Sequence, residues 1–459
     1  MSTFREKIGY GFGDMASSMF WKIFSYYLPF FYSNIYGLSL SDTAMLLLIT
    51  RVWDAISDPM MGIIADRTHS RWGKYRPYLL WVAVPFAICG VLVFTTPNVG
   101  PQGKLIYAYV TYILMMTVYT AINVPYAAML GVMTPNPDTK TIFSSYRMFF
   151  AYAGSFIALY SWERLCDLFE KATWSLTDSW QQAMMVIALI TIILFMLCYR
   201  MTRERIRNTS TVSALKDLKL LVTNAPWWLL IGAALCSNLF NTVRGATVAY
   251  YFKDIVGDNV YLHLGDFSLF FYAGLFLGIG EVANMLGVTL TVPISRAIGK
   301  KNTYLYMMIS LAVLSSIFFF VPATNFGFWL MLLLQIIISI ATGIISPLVW
   351  SMYADVSEYA ELRDGTASTG LIFSSSSMAQ KFGGAFGGAL VMWMLAIFGY
   401  STAEGAVQSP QAIMGLKVLM SWVPAGTAIL AVIVIYFYPL TRDKVKEINS
   451  RLMARRKKN

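Results

Sequence analysis

The sequence predicts an all-α polytopic membrane protein with twelve transmembrane helices in two six-helix bundles. Three observations predict it. Of 459 residues, 57% are hydrophobic and only 13% charged, whereas a soluble chain carries about 25% charged residues, so a polar surface cannot be assembled. The apolar runs reach the roughly 20 residues that a helix needs to span a bilayer. Two features recur at nearly one offset. Gly73 and Gly299, each in a basic loop, stand 226 residues apart, and Pro125 and Pro347 stand 222 apart. Such an echo is the mark of a parallel repeat of two halves.

In order, the spans are 9–36, 43–66, 77–96, 104–133, 142–160 and 180–200, then 225–253, 267–298, 303–322, 326–354, 366–398 and 411–438. Those well beyond 20 residues imply tilt or extension past the membrane. The first span follows Arg5, Glu6 and Lys7 and is too long for the core of a cleavable signal. Basic residues then set the orientation. Arg67, Arg71, Lys74 and Arg76 follow span 2, Arg200, Arg203, Arg205 and Arg207 follow span 6, and Arg296, Lys300 and Lys301 follow span 8. The opposite loops hold only Lys104, Arg164, Lys171 and Lys253. Both termini are therefore expected in the cytoplasm. The chain divides into 1–200, a polar linker 201–224, a second bundle 225–440 and a basic tail 441–459. The net charge of +11 is mostly this asymmetry, and no soluble basic domain exists to bind nucleic acid.

Cys89, Cys166, Cys198 and Cys236 have the spacing of neither a disulfide framework nor a metal site, and read as packing residues. His69 and His263 fall in predicted loops, so no metal cluster is expected from them. No Walker-type phosphate loop and no nucleophile–base pair is present, which argues against ATP drive and against an enzyme. No obligate protein partner or enzymatic cofactor is indicated.

The informative charges lie inside the spans. Arg51, Asp54 and Asp58, in span 2, are spaced three and four apart and share one helix face. Each carboxylate near mid-membrane costs about 2.5–3.5 kcal/mol on insertion scales, so the group must pair internally, with water or with an ion. Arg51 neutralises one carboxylate and the other needs a cation or a proton. Thr120 and Asn123 of span 4 complete a possible oxygen cage. Na⁺ and H⁺ both remain open. Lys22 lies in span 1, Arg147 opens span 5 and Lys381 lies in span 11; Arg244 in span 7 is as compatible with structure as with function. Trp21, Trp53, Tyr119 and Trp350 lie near these groups, and aromatic faces stack on sugar rings, although a tryptophan in a span is more often packing.

The sequence resembles the glycoside–pentoside–hexuronide:cation symporters of the major facilitator superfamily, the melibiose-permease type. The resemblance rests on Tyr10-Gly-Phe-Gly-Asp14, Arg51-Val-Trp-Asp-Ala-Ile-Ser-Asp-Pro-Met-Met-Gly62 and Arg71-Trp-Gly-Lys-Tyr-Arg-Pro77. It continues through Tyr119-Thr-Ala-Ile-Asn-Val-Pro-Tyr126, Ala354-Asp-Val-Ser-Glu-Tyr359 and Lys381-Phe-Gly-Gly384, and so covers the whole chain. It implies the major facilitator fold, alternating access and a central sugar site. It assigns the coupling cation to Asp54 and Asp58, implies that Arg147 and Lys381 serve the sugar and cation region, and makes Asp355, Glu358 and Arg363 a cytoplasmic ionic lock between the bundles. Ser18 stands where the family has a sugar-binding aspartate, Asn123 where it has another carboxylate and Ala127 where it has a tryptophan. These departures weigh against melibiose as the substrate and leave the coupling ion open. Asp14 keeps two readings, a sugar contact or a cytoplasmic gate or cap.

The expected function is symport of a sugar or glycoside with Na⁺ or H⁺ across a bacterial inner membrane. The cation ligands are Asp54, Asp58, Thr120 and Asn123. The substrate contacts are Ser18, Trp21, Tyr119, Asn123, Arg147, Ser376 and Lys381, and a neutral sugar is favoured over an acidic one because the internal carboxylates balance Arg147 and Lys381. The alternatives are a lipid or drug transporter of the same fold, a channel, or a non-transporting membrane sensor.

Overall fold

The computed structural model describes residues 4–68, 70–134, 137–173, 175–205, 223–257, 260–265, 267–364, 369–403 and 405–456. His69, linker residues 206–222 and tail residues 457–459 lie outside them. Helices dominate: α1 Phe4–Tyr26, α2 Leu40–Arg67, α3 Arg76–Trp81, α4 Ala83–Val93, α5 Pro101–Met133, α6 Pro137–Thr173 and α7 Leu176–Met201 in the first half of the chain. In the second half come α8 Ala225–Tyr251, α9 Ala273–Ile298, α10 Lys300–Phe318, α11 Asn325–Asp364, α12 Thr369–Ile397, α13 Pro410–Met420, α14 Trp422–Tyr436 and α15 Arg442–Arg456.

Local signals account for the ends. Ser39, Ser175, Asn224 and Ser409 each accept a backbone N–H three residues on, capping α2, α7, α8 and α13, which satisfies one of the orphan donors of a helix start. Two expected spans are each broken into a helix pair, α3–α4 at Val82 and α13–α14 at Ser421. Pro85 and Pro424 follow three residues later and lack the N–H that would close the turn. Pro125 and Pro347 both lie inside long helices, α5 and α11. Gly73 and Gly299 both take positive φ, 121° and 87°.

Among the described residues, five helical stretches are long and apolar enough to cross a membrane: Pro101–Leu130, Leu176–Met201, Ala273–Ile298, Asn325–Arg363 and Pro410–Tyr436. The other expected spans are helical too, but several carry charges, as α1 does with Asp14 and Lys22 and α2 with Arg51, Asp54 and Asp58. The loop expected at His263 is instead an antiparallel hairpin, Val260–Leu264 with Phe267–Phe271. Asn325 anchors it, accepting from the His263 N–H at 2.9 Å and donating to its carbonyl at 3.0 Å.

α1 packs on α6 and α7, α9 on α11, and α8 on α12 and α14. Across the halves, α2 lies against α12 and α6 against α9. At the end away from the termini the halves are tied directly. The Ser33 and Tyr250 hydroxyls are 2.7 Å apart, Asn34 donates to the Tyr400 hydroxyl at 3.3 Å, and the Tyr272 hydroxyl donates to the Tyr160 carbonyl at 2.9 Å. At the terminal end, bonds among the described residues include ones within the first half. Arg205 meets Glu6 at 2.6 Å, and Glu204 accepts the N–H groups of Lys74, Tyr75 and Arg76 at 2.8, 2.8 and 2.6 Å.

Candidate functional site

The helical period of α2 sorts its residues. Arg51, Asp54 and Ser57 are buried and Asp58 half-buried, while Val52, Ile56 and Met60 are exposed. Trp53 belongs to the exposed side, and its indole N–H donates to Thr117 Oγ1 at 2.7 Å. One residue along a helix is a turn of about 100°, so Trp53 lies off the face that carries the charges, in keeping with the packing reading of a tryptophan in a span. Trp350 packs on Tyr353, ring centroids 5.9 Å apart.

Asp54 is completely buried. Thr120 of α5 sits between the carboxylates, its Oγ1 3.0 Å from Asp54 Oδ1 and 2.9 Å from Asp58 Oδ1, with Ser57 Oγ at 3.4 Å. A hydroxyl carries one proton and can serve only one carboxylate at a time. The second half supplies the rest. Lys381 of α12 places Nζ 3.3 Å from Asp54 Oδ1 and in contact with Asp58 Oδ2. Arg51 Nη1 stands 3.9 Å from Asp54 Oδ2, and neither atom has a hydrogen bond. Two carboxylates and two cations make the cluster formally neutral, which reconciles it with burial.

Above the cluster the Arg51 guanidinium lies 4.4 Å over the Trp21 ring, and Trp21 leans on Tyr119 at 5.5 Å. Asn123, one turn past Thr120, has a buried Nδ2 without a partner. Ser18 is half-buried, one turn before Trp21 and Lys22 on α1. Arg147 is bound elsewhere: its Nε and Nη2 donate to the two Asp14 oxygens at 3.0 and 3.3 Å, and it does not line the cavity. The Ser376 side chain lies outside the described residues. Asp355 is held by Lys300 Nζ at 2.7 and 2.8 Å within the second half, and Arg363 donates to Thr223 Oγ1 and its carbonyl at 3.1 Å. Glu358 is half-buried on the same helix, α11.

A cavity of about 220 Å³ opens between the halves. From the first half Trp21, Lys22, Tyr26, Arg51, Tyr112 and Tyr152 line it; from the second, Asn238, Asn241, Asn284, Thr342 and Gln380 do. One wall is aromatic and basic, the other is amide and hydroxyl. That combination suits a solute with an apolar face and many hydroxyls. Sequence reasoning missed the amide wall and Glu281, whose Oε1 accepts from Lys22 Nζ at 2.6 Å. A signal was there: Asn238 and Asn241, then Glu281 and Asn284, are each three residues apart in otherwise apolar runs.

The profile of the family described as MFS/sugar transport protein matches residues 9–442. The chain is 35% identical over 458 residues to the putative glycoside/cation symporter YagG of Escherichia coli strain K12, covering 99% of this chain and 96% of that one. It is 32% identical over 464 residues to the isoprimeverose transporter of Lactiplantibacillus pentosus, covering 99% and 91%. In fold it is similar to a bacterial homologue of the human drug peptide transporters, with a TM-score of 0.70 at 11% identity, over 98% of this chain and 100% of that one. The chain thus belongs to the MFS/sugar transport protein family and, within it, to the glycoside–pentoside–hexuronide:cation symporters.

Proposed function

We propose that this protein carries a sugar or glycoside across a bacterial inner membrane together with Na⁺ or H⁺, by alternating access of two six-helix bundles. The pairs α3–α4 and α13–α14 each count as one span, giving twelve, with the linker 201–224 joining the bundles and both termini cytoplasmic. The observation that carries the reading is the bridge from Lys381 on α12 to Asp54 and Asp58 on α2. The names of the relatives, a glycoside/cation symporter and an isoprimeverose transporter, support the solute class.

The geometry suggests how ion and solute are coupled. In the conformation described, Lys381 fills the role of the cation. A coupling ion or proton arriving at Asp54 and Asp58 competes with that ammonium, because the cluster is already neutral. Release of Lys381 loosens one of the charged links between α2 and α12. Ion occupancy thereby acts on the geometry between the halves, and the reciprocal effect on solute affinity follows from linkage. The amide oxygen of Asn123 and the hydroxyl of Thr120 are the polar neighbours for an incoming ion. Trp21, backed by Tyr119, offers a ring face, and the amides of the opposite wall read hydroxyls. Asp355, Glu358 and Arg363 remain candidates for a lock at the terminal end, formed when that end closes.

The test is uptake into proteoliposomes under imposed Na⁺ and H⁺ gradients. The parent should accumulate glycoside with one gradient. Asp58→Asn and Asp54→Asn should lose accumulation yet retain exchange or binding, since the amide keeps the shape and removes the charge. Accumulation against a gradient by both variants would overturn the coupling role.

A further inference from the structure

A second group of charges lies beside the main cavity, in a pocket of about 40 Å³ between α1, α8, α9 and α11. The two spaces share Tyr26, Asn241, Asn284 and Thr342 as walls. Lys22 reaches across from α1 to Glu281 Oε1 at 2.6 Å and to the Tyr26 hydroxyl at 3.3 Å. Arg244, 5% exposed, forms another part of the pocket wall. Its Nη2 donates to Gln335 Oε1 at 2.8 Å and its Nη1 to the Met420 carbonyl at 3.1 Å, and the guanidinium lies 5.0 Å over Phe318. Met420 is four residues before Pro424, whose missing N–H leaves that carbonyl free. The helix break thus positions the guanidinium.

The charge count singles out Arg244. Lys381 and Arg51 face Asp54 and Asp58, and Lys22 faces Glu281. Among the described residues no carboxylate lies within ion-pair distance of Arg244. Glu281 and Arg244 line the pocket, Lys22 reaches Glu281 from the wall of the main cavity, and the buried guanidinium uses two of five N–H donors on neutral acceptors. Guanidinium forks match planar or tetrahedral anions, and an intramembrane charge with no counter-charge is a candidate for a binding function.

We infer that Arg244, assisted by Lys22, is a subsite for an anionic substituent of the solute, a carboxylate or a sulfonate, so that the transported glycoside is acidic. Glu281 holds Lys22 in place, and the anion supplies the charge that Arg244 lacks. The inference rests on the reading of the chain as a glycoside transporter. The main-cavity cations favour a neutral solute when counted alone; Arg244 tips the balance.

The test measures binding to the full chain in lipid nanodiscs by calorimetry, with matched pairs: methyl glucuronide against methyl glucoside, methyl galacturonide against methyl galactoside, and the 6-deoxy-6-sulfo glucoside against the glucoside. At least one acid should bind tenfold or more tightly than its neutral partner, and the pair showing this separates carboxylate from sulfonate. Arg244→Gln should bring that ratio within threefold of one while neutral affinity changes less than threefold. Arg244→Lys, which keeps the charge and loses the fork, should give an intermediate ratio, and it decides the question if the glutamine variant does not fold. A parent ratio near or below one for every pair overturns the inference. Equal losses for acid and neutral ligands in both variants overturn it too, and would make Arg244 a tether for α13–α14. If neutral glycosides bind and accumulate but no acid is preferred, the transport reading stands and this one falls. If no member of any pair binds, both fall.

Discussion

Replacing Lys381 by glutamine tests the central cluster most directly. Asp54 is fully buried and Lys381 only 17% exposed, and the ammonium is the cation that reaches both carboxylates. Without it, two negative charges face Arg51 alone, whose nearest approach is 3.9 Å. Breaking a buried ion pair by removing one partner costs about 3–5 kcal/mol. At roughly 2–4 °C per kcal/mol for a unit of about 200 residues, the lower figure corresponds to a fall in Tm of about 6–12 °C. Adding Asp58→Asn removes the surplus charge, so the double variant should recover most of the loss, with a coupling of about 2–3 kcal/mol between the sites. The vacated position also suits an external cation. If Na⁺ is the coupling ion, it should stabilise Lys381→Gln more than K⁺ does, through ordinary mass action. The assay is thermal unfolding of the purified protein in detergent for the four members of the cycle, in each salt. A single variant within about 1 kcal/mol of the parent, or penalties that simply add in the double variant, would refute the argument that Lys381 is the cluster's internal cation.

Gly73→Ala should destabilise the loop after α2 by about 1–3 kcal/mol, because φ is 121° and the new Cβ would meet the Glu204 carboxyl at 2.7 Å, where three backbone N–H groups pin it; a Tm equal to the parent's would contradict this. Gly274→Ala should push α6 and α9 apart at the end away from the termini, since its Cβ would lie 2.3 Å from the Leu159 carbonyl, a backbone atom that cannot rotate aside. Spin labels across that end should report a longer mean distance, and an unchanged distance distribution counts against it. Trp21→Ala should weaken glycoside binding at least about tenfold by removing a ring face from the cavity wall, whereas Trp53→Ala should change it less than about threefold because that ring faces outward; calorimetry on both variants decides, and similar losses would show that the two tryptophans had been assigned to the wrong sides.

Much of the site was legible in the chain because a membrane makes polarity costly. Arg51, Asp54 and Asp58 could be assigned to one helix face from a spacing of three and four, and Thr120 and Asn123 stood out as polar residues in an apolar run. Trp53 beside Asp54 could not be given a direction by proximity in sequence alone, since each residue turns the helix by about 100°. Asn238, Asn241, Glu281 and Asn284 carried the same kind of signal in the second half and were passed over. The hairpin at His263 was hidden because it is short and depends on Asn325, 62 residues away.

The sequence by itself determined that the chain is a helical membrane protein and which side chains could not be left facing lipid, because these follow from helical period and the insertion cost of each residue. Only the tertiary structure decided the partners. Lys381 lies 327 residues from Asp54, and Lys22 lies 259 from Glu281; their meeting depends on α12 docking against α2 and on α1 facing α9. Arg147 went to Asp14 rather than to the cavity, and Arg244 met a carbonyl freed by Pro424 instead of a carboxylate. A charge in a low-dielectric interior must be compensated, but which charge compensates it is set by packing between distant helices, and no local pattern encodes that.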